Sequence, residues 1–210
     1  IRVLLASSQT QCDFNIVYGN YALTDQGTDN ILASVSKGDL VSITGSGANF
    51  IVSVNGNQVG TATSSVYAMP TDSSSIFSYK STKYRMAFYV FQSANGLYIL
   101  NKLDIEQYLY GLVGEEIGYS SPIEAIKAQA VAARSFAYAK INAGAKYDVT
   151  NSSQVYLGYT AESSSGGESI IAAVDATTGI VMYYTDPFTG TRKVVPGYYH
   201  SNGGGHTEDI

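Results

Sequence analysis

The run Tyr108-Leu-Tyr-Gly-Leu-Val-Gly-Glu-Glu-Ile-Gly-Tyr-Ser-Ser-Pro-Ile-Glu-Ala-Ile-Lys-Ala-Gln-Ala-Val-Ala-Ala-Arg-Ser-Phe-Ala-Tyr138 decides how this chain is read. Its second half is marked as a helix at both ends. Ser121-Pro122-Ile123-Glu124 offers an N-cap, a proline for the first helical position and a capping-box glutamate, and Gly144 stands past the far end. The spacing therefore predicts a helix over about 122–143. Small side chains at Ala125, Ala128, Ala130, Ala132, Ala133 and Ala137 let another backbone approach closely. Lys127, Gln129 and Arg134 interrupt the apolar surface, and a lone helical lysine such as Lys127 reads as solvated. Arg134 is different: among Ala132, Ala133, Phe136 and Ala137 its guanidinium needs a partner, either a carboxylate or a polar group of a ligand.

The first half of the run carries the chemistry. From Asp104 the apolar residues Ile105, Tyr108, Leu109 and Leu112 recur at helical spacing, and the same register brings Glu116 onto their stripe, with Glu115 about a quarter turn away. Gly111 and Gly114 weaken that helix. A carboxylate on an apolar face is desolvated, which disfavours its charged form and suits a general acid. Glu116 is thus the first candidate and Glu115 the second.

Outward from this run, residues 1–103 read as β structure. Phe50-Ile-Val-Ser-Val54 and Met86-Ala-Phe-Tyr-Val-Phe91 alternate with Gly, Ser and Asn, and the pairs Asn55-Gly56 and Asn95-Gly96 signal tight hairpins. Beyond the long helix, Ala172 to Gly179 offers a short helix or turn, and Ile180 to Tyr184 is set to pair with Lys193 to Val195 across Asp186-Pro187 and Gly190. Strands, then helix, then strands predict an α+β fold: an antiparallel β-rich N-terminal half, one long central helix and a mixed C-terminal part. A single domain over 1–210 is expected, with a β-rich lobe at 1–103 and a catalytic lobe at 104–210.

Composition limits the function classes. With 210 residues, 45% hydrophobic and 14% charged, the chain can bury a core and is not disordered. Its net charge of −5 offers no basic surface for nucleic acid. No stretch approaches the roughly 18 apolar residues of a membrane span. The abrupt strand-like start at Ile1 suggests an export signal or anchor ahead of it, hence an extracytoplasmic location. Cys12 is the one cysteine and reads as a packing residue.

Eighteen tyrosines and no tryptophan bias any binding surface toward Tyr, whose flat face and edge hydroxyl suit sugar rings. A tyrosine-rich sheet is more often simply packed surface; the candidates for sugar contact are Tyr119, Tyr156, Tyr159 and Tyr199. His200 and His206 flank Ser201-Asn-Gly-Gly-Gly205, a loop whose glycines let backbone N–H groups approach a ligand. Two histidines alone make a poor zinc site, and the lysine and serine of a phosphate loop are missing.

Taken together, these segments resemble the stage II sporulation protein D family, which includes the amidase enhancers. Its members carry Tyr-Leu-x-Gly-Val-Val-x-x-Glu followed by Pro-x-Glu-Ala-Leu-Lys-Ala-Gln-Ala-Val-Ala-Ala-Arg. The matches here are Tyr108, Leu109, Gly111, Val113 and Glu116, then Pro122, Glu124, Ala125 and the run Lys127 to Arg134. Gln154-Val-Tyr-Leu-Gly158, the segment Ala173 to Gly179, and Tyr199 to Glu208 also resemble family signatures.

The resemblance implies lytic cleavage of peptidoglycan glycan strands at the bond between N-acetylmuramic acid and N-acetylglucosamine, without added water, in cell-wall remodelling such as that of sporulation. It implies Glu116 as acid and then base, with Gln129, Arg134, Gln154, Tyr156, His200 and Ser201 holding N-acetyl and hydroxyl groups. Some members bind zinc through a His and two Cys, but those positions are held here by Ile141, Tyr147 and Ser153, so no metal and no cofactor is expected. Two other readings stay open: a non-catalytic activator of a cell-wall amidase, for which amidase enhancers give the precedent, and a sugar-binding module.

Overall fold

The computed structural model describes residues 1–200 and 205. Alternation builds its first half. In β2 (Gln11–Tyr18) Cys12, Phe14 and Ile16 are buried while Gln11, Asp13 and Asn15 between them are exposed, so one face of the strand enters the core. The other early strands are β1 (Arg2–Gln9), β3 (Asn20–Asp25), β4 (Asn30–Ser36), β5 (Leu40–Ser46), β6 (Asn49–Val54), β7 (Asn57–Ala62), β8 (Ser65–Pro70), β9 (Ile76–Tyr79), β10 (Thr82–Arg85), β11 (Ala87–Ser93) and β12 (Gly96–Lys102). With β13 (Val149–Thr150) they form two sheets, ordered β13-β1-β12-β11-β8-β3-β4 and β10-β9-β2-β5-β6-β7. Only the β1–β13 pairing among these is parallel. The sheets pack face to face through aromatic rings. Phe14 of one stacks on Phe88 of the other with centroids 3.9 Å apart, and Phe77 and Tyr21 close around them.

Asn55-Gly56 makes the expected hairpin: both residues have positive φ, 51° and 81°, between the paired Val54 and Asn57. The second pair is displaced by one residue. Ser93 pairs with Gly96, so Ala94 and Asn95 form the turn and Gly96 (φ 110°) opens the next strand, where a Cβ would lie 2.7 Å from the Gln9 carbonyl.

The helices follow: α1 (Ile105–Tyr110), α2 (Val113–Ile117), α3 (Ile123–Lys140), a 3-10 turn (Ala161–Ser163) and α4 (Gly167–Ala176). A hairpin of β14 (Tyr183–Thr185) and β15 (Arg192–Val194) ends the described elements. The α+β class is as read from the sequence. Two local expectations are corrected. Helix α3 begins at Ile123 and ends at Lys140, short of the predicted 122–143, and Ser121 does not cap it; its hydroxyl donates back to the Ile117 carbonyl at 2.7 Å. Nor does one helix run from Asp104 to Glu116. Asp104 caps α1 by accepting from the Glu106 N–H, but the helix stops at Gly111, where a Cβ would run into the Gly158 carbonyl and the Tyr156 ring. Close approach of the 156–158 segment ends α1 there, and Glu116 belongs to the separate α2.

One buried cluster extends from Val3 through the sandwich and into α1 to α4 as far as Val174. Cys12 lies within it, and burial pushes its thiol pKa up. β13 ties the helical part to the sheet edge, because Arg2 of β1 pairs with Asp148 at 2.7 Å just before that strand.

Candidate functional site

Between α2, α3 and the segments 152–155 and 197–199 lies an open groove of about 290 Å³. Glu116, Phe136, Gln154, Val155, Tyr198 and Tyr199 line it, with Ser152, Ser153 and Gly197. Each wall has a local cause. The glycine at 197 lets its segment lie on α3, since a Cβ there would collide with the Ala132 carbonyl. Phe136 of α3 meets Tyr198 edge to face, centroids 5.8 Å apart, which fixes one rim.

Glu116 is half-buried, and its Oε1 accepts the Val155 backbone N–H at 2.8 Å. This differs from the expected carboxylate on a continuous apolar stripe. The interrupted helix turns Glu116 to a groove wall, where a backbone donor orients it. Glu115 is occupied elsewhere, accepting the Tyr119 hydroxyl at 2.8 Å.

A chain of hydrogen bonds rises from the core beside Glu116. The buried Tyr108 hydroxyl donates to Gln154 Oε1 at 3.1 Å, and Gln154 Nε2 donates to the Tyr199 hydroxyl at 2.9 Å. The amide of Gln154 is thereby held in one orientation. Burial, partly opposed by that Gln154 bond, and the neighbouring Glu116 carboxylate push the Tyr199 phenol up to about 12. Tyr199 thus stays neutral and keeps its proton. Gln129 on α3 lies beside the same hydroxyl, and its Nε2 is buried without a hydrogen-bond partner among the described residues.

The structure separates the other predicted site residues. Gln154 reaches the groove, whereas Arg134 and Tyr156 do not. Arg134 is 1% exposed and pairs fork to fork with Glu106, with further bonds to the Ile180 and Val174 carbonyls; its partner is a carboxylate of the chain itself. Tyr156 is buried, donates to Asn101 Oδ1 at 2.6 Å and packs on Tyr108. Both are corrections: these side chains hold the fold on which the groove stands. His200 is exposed next to Tyr199 and is not among the groove-lining residues. Ser201 and His206 lie outside the described residues. Tyr199 was among the tyrosine candidates and Val155 lies in a signature-like segment, but the parts of Val155 and Phe136, a backbone N–H and a rim, leave no mark on residue type.

The positions that correspond to zinc ligands do not fit a metal. Ile141 is exposed hydrocarbon, and the Ser153 hydroxyl accepts the Thr150 N–H at 3.0 Å. Among the described residues no three His, Cys, Asp or Glu side chains converge, and no helix is long and apolar enough to cross a membrane.

Residues 93–184 match the family model SpoIID, stage II sporulation protein. The match covers Glu116, Gln129, Arg134, Gln154 and Tyr156 and stops short of Tyr199 and His200. An uncharacterized protein of Brachyspira hyodysenteriae is 36% identical over 115 residues, 52% of this chain. The chain spans 28% of the length of that curated relative. No solved structure matches.

Proposed function

We propose that this chain is a lytic transglycosylase of peptidoglycan glycan strands acting in cell-wall remodelling outside the cytoplasm, with Glu116 as its single acid and base. The observation that carries this reading is that Glu116, oriented by the Val155 N–H, is the only carboxylate among the described residues lining a groove otherwise built of uncharged aromatic, hydroxyl, amide and small apolar groups. Hydrolysis of a glycoside generally needs two carboxylates, one of them activating water or attacking the sugar. Cleavage without water needs one. Protonated Glu116 gives its proton to the departing O4 of N-acetylglucosamine as the C1–O4 bond breaks. The C6 hydroxyl oxygen of the same muramic residue bonds to C1, and its proton passes to the Glu116 carboxylate, which restores the starting state. The Gln129 amide beside the Tyr199 hydroxyl and the Gln154–Tyr199 pair supply donors for acetyl and hydroxyl oxygens.

The test is Glu116→Gln, which keeps size and removes the titrating proton. Cleavage of purified glycan strands falls by about 10²–10⁴-fold, the usual contribution of general acid–base catalysis, in a protein that still melts as wild type does. The wild-type products carry a 1,6-anhydro muramic end, lighter by one water than a hydrolytic product. Reducing ends would make the protein a hydrolase. A wild type that cuts nothing but accelerates an added cell-wall amidase would replace the catalytic reading with the activator one.

A further inference from the structure

A second cleft, of about 480 Å³ and sharing no residue with the Glu116 groove, opens where the loop after α3 meets the β11–β12 face of the sandwich. Its floor is aromatic: Tyr67 meets Tyr89 edge to face at 5.9 Å, and Tyr89 lies 5.8 Å from Phe91. Two cations stand over these rings. Lys102 Nζ is 5.2 Å from the Tyr67 centroid and Lys146 Nζ is 4.9 Å from that of Phe91, both in cation–π range. Among the described residues no Asp or Glu lines the cleft, although the chain carries a net charge of −5. Among the described residues neither ammonium has an ion-pair partner, so ring faces hold them instead of carboxylates.

The wall that presents Lys146 is fixed. The guanidinium of Arg2 donates to the Asn142 carbonyl at 2.6 Å and to the Ala145 carbonyl and pairs with Asp148, so its own charge is compensated while the loop is pinned. Flat rings and two uncompensated cations together specify a ligand with a planar apolar face and an anionic group.

We infer that this cleft is a second, non-catalytic site for an acidic saccharide, its ring on Tyr67, Tyr89 and Phe91 and its anionic group between Lys102 and Lys146. Its volume is within the range of small-ligand pockets. The site stands on its own geometry and does not depend on Glu116; only the choice of probe follows the cell-wall reading.

The experiment titrates N-acetylmuramic acid, neutral N-acetylglucosamine and N-acetylglucosamine 6-phosphate into the whole chain, followed by calorimetry and by chemical shifts. N-acetylmuramic acid binds saturably and at least about tenfold more tightly than the neutral sugar, a difference that the double variant Lys102→Ala, Lys146→Ala abolishes and added salt reduces. Both lysines are exposed, so that variant keeps the wild-type melting temperature. Glu116→Gln leaves the binding unchanged, which separates this site from the catalytic groove. Tighter binding of the phosphate sugar supports the site with a phosphorylated wall polymer as the source of the anion. Equal affinity for neutral and acidic sugars, no saturable binding of any probe, or indifference to the double variant overturns the inference.

Discussion

Arg134 and Glu106 meet as two forks: Nε lies 2.9 Å from Oε1 and Nη2 2.6 Å from Oε2, with the arginine fully inside the protein. The pair clamps α3 to α1, and Glu106 Oε1 also accepts the Gly179 N–H after α4 at 3.1 Å. Removing one partner leaves an uncompensated buried charge. Arg134→Ala therefore costs about 3–5 kcal/mol in denaturant unfolding. Arg134→Lys does not recover it, because a lysine cannot reproduce the bidentate contact. A variant as stable as wild type would show that the clamp contributes nothing.

The Arg2–Asp148 pair makes stability depend on acid. Burial alone would raise the Asp148 pKa, but hydrogen bonds from Arg2 and from the Asn142 and Arg2 backbone N–H groups hold the carboxyl below the ordinary carboxylate range. A folded pKa below the unfolded value of about 3.9 means the stabilisation is present at neutral pH and is lost as pH falls from about 4 through the folded value. Melting temperatures of wild type and Arg2→Ala, measured from pH 7 to 2, converge at the acid end. Curves that stay parallel would contradict this.

The alkaline side has the opposite sign. Burial first, with smaller contributions from neighbouring acidic groups, raises the phenols of Tyr79 and Tyr199 to about 12 and those of Tyr21, Tyr108 and Tyr156 further. Above the unfolded value of about 10 the unfolded chain gives up these protons while the folded chain keeps them, so stability falls as pH rises. Phenolate absorbance should rise in two stages, exposed tyrosines first and the buried set together with unfolding. A single smooth titration in a protein that stays folded would refute it.

Gly197 makes a backbone prediction. Since a Cβ there would strike the Ala132 carbonyl, Gly197→Ala pushes the 197–199 segment off α3, at about 1–3 kcal/mol for overpacking. The displacement carries Tyr199 away from Gln154, so glycan cleavage falls more than stability does. Equal activity of the variant would mean that Tyr199 is not positioned by this contact.

What could be read in advance followed from local rules, and what could not was tertiary. The segments Phe50 to Val54 and Met86 to Phe91 and the Asn55-Gly56 turn announced strands and a hairpin, whereas the order of thirteen strands in two sheets is set by pairings far apart in the chain. The need of Arg134 for a partner was legible from its alanine surroundings. Glu106 as that partner was not, because it lies 28 residues away on another helix. Glu116 was singled out by its register and motif, but its setting was misread: the register was carried across Gly111, where contact with Gly158 and Tyr156 ends the helix. Tyr156 and Tyr199 look alike as residue types, and only packing puts one in the core and the other on the groove.

The hydroxyl of Tyr199 gives the last prediction. It is held by Gln154 Nε2 on one side and stands beside the Glu116 carboxylate, while its raised pKa keeps it a proton donor throughout the physiological range. Tyr199→Phe removes the hydroxyl and keeps the ring on the groove wall. Fold stability drops by only about 1 kcal/mol, the net worth of one hydrogen bond. If the phenol orients Glu116 during proton transfer, kcat on glycan strands falls about tenfold or more with KM little changed, since a group acting only in the transition state changes kcat and kcat/KM together. If it serves only to bind sugar, KM rises and kcat stays. Gln154→Leu, which strips the phenol of its donor and leaves the Tyr108 hydroxyl unpaired, should reproduce the Tyr199→Phe loss of kcat with a larger loss of stability. Wild-type kinetics in both variants would remove the Tyr108–Gln154–Tyr199 chain from the mechanism and leave Glu116 to act with the Val155 N–H alone.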